Sequence, residues 1–87
     1  MTEMLRLRND KVEWREVEDE VVALTTEDDR YLGANRTGAI LWKSLAAGAE
    51  LEALHALLVT EGATPEQAAA DTDVFLSALR ERGLLEG

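Results

Sequence analysis

His55 is the only histidine in the chain, and it stands between leucines in the run ALHALL. A lone imidazole flanked by leucines in mid-helix reads as a boundary residue packing its ring edge, with no base, ligand or nucleophile beside it. The two serines, Ser44 and Ser77, have no histidine at a spacing that would make a nucleophile–base pair. There is no cysteine, which removes disulfides, thiolate metal sites and a thiol nucleophile at once. Two acidic runs remain, Glu16-Glu18-Asp19-Glu20 and Glu27-Asp28-Asp29. Neither carries the spaced Asp/Asn-and-glycine pattern of a calcium loop, so both read as solvated turns. No glycine-rich phosphate cradle is present; Gly33 and Gly38 alone do not make one. The expectation is a protein that is not an enzyme and uses no metal or cofactor.

Binding is then the function class to examine, and charge narrows the partner. Eighteen acidic residues face nine basic ones, for a net charge of −9. That balance repels phosphate, so nucleic acid and anionic membranes are poor partners. A neutral or basic peptide or protein surface is a better one. No apolar run approaches the length of a membrane span, and MTEMLRLRND has no signal-like apolar core. The cytoplasm is the expected location. With 87 residues the chain reads as one domain, 1–87, burying about 60–65% of its unfolded surface.

The elements that must build a binding surface change character near Asn35. VEWREV (Val12–Val17) is rich in β-branched and aromatic residues and puts Val12 and Trp14 on one face. Residues 21–25 form the most continuous apolar run, and residues 30–33 a third, short strand. Acidic turns join the three into an antiparallel meander. LRLR (residues 5–8) alternates as well; it either extends the first strand or belongs to an arm spanning 1–11.

In YLGANRTGAILWKSL the short strand runs straight into a helix, with Asn35 as N-cap and Ile40, Leu41, Trp42 and Leu45 as its apolar stripe. A second helix is expected over 50–61. TPEQ then opens a third, with Thr64 at the N-cap, Pro65 at N1 and Gln67 completing a capping box. That helix should run to about Arg82, after which Leu84 and Leu85 fold back onto the core. The order is β-β-β-α-α-α, an α+β domain like a winged helix-turn-helix with its wing at the front. As a DNA reader the third helix is poorly equipped, offering Asp71, Asp73 and Glu81 against Arg80 and Arg82.

On a helical wheel Thr72, Phe75, Leu76 and Leu79 face inward, and Asp71, Val74, Ala78 and Arg82 form a flank. Asp71 is placed near the apolar side, where a carboxylate needs a partner: Arg82, Arg30 or Arg36 within the chain, or a bound peptide. The last strand of a meander has one open edge, which can accept an extended peptide as an added strand.

Together these features resemble the PqqD-like family, the recognition elements for ribosomally made, post-translationally modified peptides. The residues that carry the resemblance are Tyr31-Leu32-Gly33-Ala34-Asn35, Ile40-Leu41-Trp42, and then Asp71, Phe75-Leu76, Leu79 and Gly83-Leu84. It spans about residues 12–85. The resemblance implies a non-catalytic, free-standing chaperone that captures a precursor's leader peptide and passes it to a leader peptidase or another modifying enzyme. Arg30, Tyr31, Leu32, Gly33 and Ala34 would be the docking edge. Asp71, Phe75, Ala78 and Leu79 would line the far wall, with Val74 on the same flank. Within the family the chain is more similar to the lasso-peptide leader-binding type. The alternatives are the pyrroloquinoline quinone chaperone that serves a radical SAM enzyme, and a winged-helix regulator.

Overall fold

Leu5 and Leu7 are two residues apart, so in an extended chain their side chains point the same way. Both are buried, Leu7 to 1% exposure, which makes strand β1 (Met4–Leu7) part of the core. The computed structural model describes residues 4–86. Residues 1–3 and Gly87 lie outside the described residues; from Met4 to Leu7 the chain is a strand in a sheet of its own, neither an arm nor an extension of the strand that follows. β1 is the middle strand of a three-stranded sheet. It pairs antiparallel with β5 (Ala49–Glu50) through Leu5↔Ala49 and with β6 (Leu85–Glu86) through Leu7↔Leu85. Each leucine buried here is worth about 1.5–3 kcal/mol relative to exposure, the reason the alternation in LRLR matters.

The second sheet is the expected meander: β2 (Val12–Val17), β3 (Glu20–Thr25) and β4 (Tyr31–Ala34), in that spatial order. Register aligns Trp14↔Ala23 and Ala23↔Leu32, so one face carries Val12, Trp14, Val21, Ala23, Thr25, Leu32 and Ala34. The other carries Val22, Leu24 and Tyr31 beside Glu13 and Arg15.

Helix α1 (Arg36–Ala47) lies on the inner face of the meander and against β1. Asn35 caps it as expected, its Oδ1 accepting from the Gly38 N–H at 3.0 Å. Leu41, Trp42 and Leu45 are buried, and Trp42 meets Trp14 edge-on at 6.1 Å between ring centres. That contact ties helix to sheet. Helix α2 (Leu51–Thr60) packs on α3 (Pro65–Glu81). The capping box at Thr64 forms both hydrogen bonds, Gln67 N–H to Thr64 Oγ1 and Thr64 N–H to Gln67 Oε1, each 3.1 Å. Ala68, Thr72, Leu76 and Leu79 of α3 enter the core.

Thus the β-β-β-α-α-α order holds over residues 12–81, and a second sheet built from residues 4–7, 49–50 and 85–86 is added to it. No described helix is long and apolar enough to cross a membrane.

Candidate functional site

The backbone of β4 fixes what its outer rim can do. The Thr25 N–H donates to the Arg30 carbonyl at 2.9 Å and the Arg30 N–H to the Thr25 hydroxyl at 3.1 Å, so Arg30 turns its backbone groups toward β3 as a bonded antiparallel residue does. Such pairs alternate along a ladder. Ala23↔Leu32 and Val21↔Ala34 are then bonded pairs, and Leu24↔Tyr31 and Val22↔Gly33 are not. The N–H and C=O groups of Tyr31 and Gly33 therefore point away from β3, out of the sheet's edge. Among the described residues no strand pairs with β4 on that side. The N-terminal strand is engaged in the other sheet and does not cover it.

Side chains on β4 alternate accordingly. Tyr31, 77% exposed, stands on the outer face. Leu32 and Ala34 are half-buried against the core. Gly33 is exposed, and a Cβ there would meet nothing within 4 Å. That Cβ would rise from the sheet face, so the glycine is not what keeps the edge accessible; the unpaired backbone is.

Next to the end of β4 lies an open cavity of about 400 Å³. Asn35, Thr37, Gly38 and Leu41 line it from the start of α1, and Asp71, Val74, Phe75 and Ala78 from α3. The two walls meet closely because residue 38 is glycine: a Cβ there would stand 3.2 Å from both the Ala34 Cβ and the Phe75 ring. Val74 is 71% exposed, an apolar side chain of the wall left in solvent. A strand rim with free donors and acceptors beside an apolar trough can hold an extended peptide by backbone bonds and one side-chain pocket.

Of the expected wall residues, Asp71, Val74, Phe75 and Ala78 come together here. Leu79 does not: at 4% exposure it faces the core, as its place in the inward arc of the wheel requires. Asp71 is exposed on the rim and so carries no burial cost. Of its expected partners, Arg30 is engaged with Asp28 at 3.4 Å and Arg36 with Glu61 at 3.3 Å, and Arg82 forms no ion pair with it. No ion pair involves Asp71 among the described residues. Sequence reasoning missed Thr37, Gly38 and Leu41 as trough residues. Their signal was the N-cap itself, since the first turn after a strand must face whatever packs beside that strand.

At the other end of β4 the turn is held by Thr25, whose hydroxyl donates to the Asp28 carboxylate. That hydrogen bond holds the Asp28 carboxyl below its ordinary value, opposed by desolvation and assisted by the Arg30 charge.

The model of the family described as "Coenzyme PQQ synthesis protein D (PqqD)" matches residues 20–85. No curated protein matches the chain. Among solved structures, "TbiB1 in Complex with the TbiA(beta) Leader Peptide" superposes with a TM-score of 0.84 at 29% sequence identity, covering 94% of this chain and 95% of that one. With most of its length, from β3 through β6, matched by one family model, the chain belongs to the PqqD family.

Proposed function

We propose that this protein is a non-catalytic recognition module for a precursor peptide's leader. It adds the leader as a strand to the rim of β4, seats one apolar side chain in the trough against α3, and presents the peptide to a separate enzyme in the cytoplasm. The single observation that carries this is the outward-pointing backbone of Tyr31 and Gly33 beside the cavity lined by Phe75, Val74 and Ala78. The likeness to a protein solved with a leader peptide bound supports the same reading. The leader is that of a lasso-type peptide and the enzyme a leader peptidase.

A second reading has its own support. The family description names coenzyme PQQ synthesis, which favours a pyrroloquinoline quinone precursor and a radical SAM enzyme as partner. Strand addition to β4 would serve either precursor, so binding must be measured with each.

Titrating labelled protein with the TbiA(beta) leader and with a pyrroloquinoline quinone precursor tests both. Amide shifts should concentrate at 31–34 and along 71–78, and the lasso-type leader should bind tighter. Shifts confined to the acidic turns would place the peptide elsewhere, and tighter binding of the quinone precursor would select the second reading.

A further inference from the structure

The chain is strongly acidic, yet four of its nine basic residues gather in one bowl. Arg8, Lys11, Arg30 and Arg82 line a concavity of about 400 Å³ between the β3–β4 turn and the C-terminal end of α3. Three carboxylates share it, those of Glu27, Asp28 and Glu81. Two are spoken for: Lys11 pairs with Glu27, and Arg30 with Asp28. Arg8 and Arg82 have no acidic partner among the described residues, and both are exposed. The bowl is a net positive site in a chain of net charge −9.

Its place in the fold gives it meaning. β4 begins next to Arg30 and ends next to Asn35, while α3 passes from Asp71 to Arg82 in the opposite sense. The bowl therefore stands at one end of the trough and the apolar cavity at the other. From Phe75 to Arg82 the helix rises about 10 Å, and from Arg30 to Asn35 the strand advances about 16 Å. An extended peptide covers that interval in about three to five residues. Both sites lie on the α3 side of the sheet, the side to which Thr25 and Ala34 point, and strand side chains return to one side at every second residue. Only the even spacing within the interval, four residues, serves both.

Building on the strand-addition reading above, we infer that the Arg8–Arg82 bowl takes a side-chain carboxylate of the bound peptide, four residues from the apolar side chain that fills the trough. The peptide is thereby fixed in register as well as held. Backbone pairing alone permits slippage by two residues along a featureless rim, and one charge contact at a set distance removes it.

The test uses short threonine-rich peptides with one phenylalanine and one glutamate, the glutamate moved two, four or six residues to either side, each against its glutamine counterpart. At low salt, glutamate at four residues on one side should bind about fivefold or more tightly than glutamine. The advantage should vanish in the Arg8→Ser/Arg82→Ser double variant and survive Arg36→Ser. Both altered arginines are exposed, and thermal melting checks that the fold is kept. Equal affinity of glutamate and glutamine peptides at every spacing, with amide shifts still at 31–34, overturns the register contact and leaves strand addition standing. Absence of shifts at 31–34 with every peptide overturns strand addition itself. Inorganic phosphate or acetate that shifts the bowl's amides while glutamate peptides show no advantage marks a small-anion site and also overturns the inference.

Discussion

The two sheets of this protein are of equal strand number and opposite condition. In the terminal sheet the central strand β1 has a partner on both sides, and its inward residues Leu5 and Leu7 are sealed in the core. In the meander the third strand has, among the described residues, one partner and one bare rim, and its face residue Tyr31 is in solvent. Two strands of two residues each suffice to finish the first sheet. The second is longer and is left unfinished beside a trough. β2, β5 and β6 are edge strands as well, but it is the edge of β4 that runs beside the trough between α1 and α3, and there a foreign strand fits.

If that contrast is right, damage to the first sheet should cost stability and damage to the second should cost binding. The largest effect is expected from Leu7→Ala, which should lower unfolding free energy by about 3 kcal/mol, whereas Val22→Ala on the meander's outer face should cost under about 1 kcal/mol. Urea denaturation compares them directly, and similar losses would erase the distinction. Next comes Gly33→Pro. Its N–H points out of the rim, so proline should leave the fold intact and weaken leader binding at least tenfold, or by about 1.4 kcal/mol. Leu32→Pro, one residue away, removes a ladder donor and should destabilise the sheet instead. Titration and melting of the pair read the rim's polarity, and reversed outcomes would mean the bonded pairs were assigned to the wrong residues. The smallest effect concerns α3, whose outer flank forms the trough wall. Thr72 is fully buried and its hydroxyl has no hydrogen-bond partner among the described residues. Thr72→Val should raise stability by about 1 kcal/mol with leader affinity unchanged. A change in affinity would show that the inner and outer faces of α3 are coupled.

The same contrast explains what could be read from the residues alone. The meander, the three helices and both caps follow from local patterns: alternation in VEWREV, Asn35 before an apolar stripe, and TPEQ. The α3 half of the trough was legible too, since Asp71, Val74 and Ala78 lie on one flank of a single wheel and Phe75 on the inward arc beside it. Leu79 entered the expected wall through the family resemblance alone; the wheel turns it inward, and there it lies. The terminal sheet was out of reach. Leu5 and Leu7 showed alternation, but strands of two residues have no period to detect, and pairing across some 80 residues leaves no local mark. The basic bowl was hidden for the same reason. Arg8, Lys11, Arg30 and Arg82 are scattered through the chain and meet only when β1 and α3 come together.

Because β1 is flanked by residues 49–50 and 85–86, the first strand to be synthesised is completed by residues at the far end of the chain. The meander can pair as soon as residue 34 has left the ribosome, but Leu7 finds Leu85 only after residue 86 has cleared the exit tunnel. Folding of this domain is therefore concluded only once residues 85–86 are free to pair with β1. Until then Leu5 and Leu7 lack the strand that completes their cover, and apolar side chains left open in this way are where a partly folded chain aggregates.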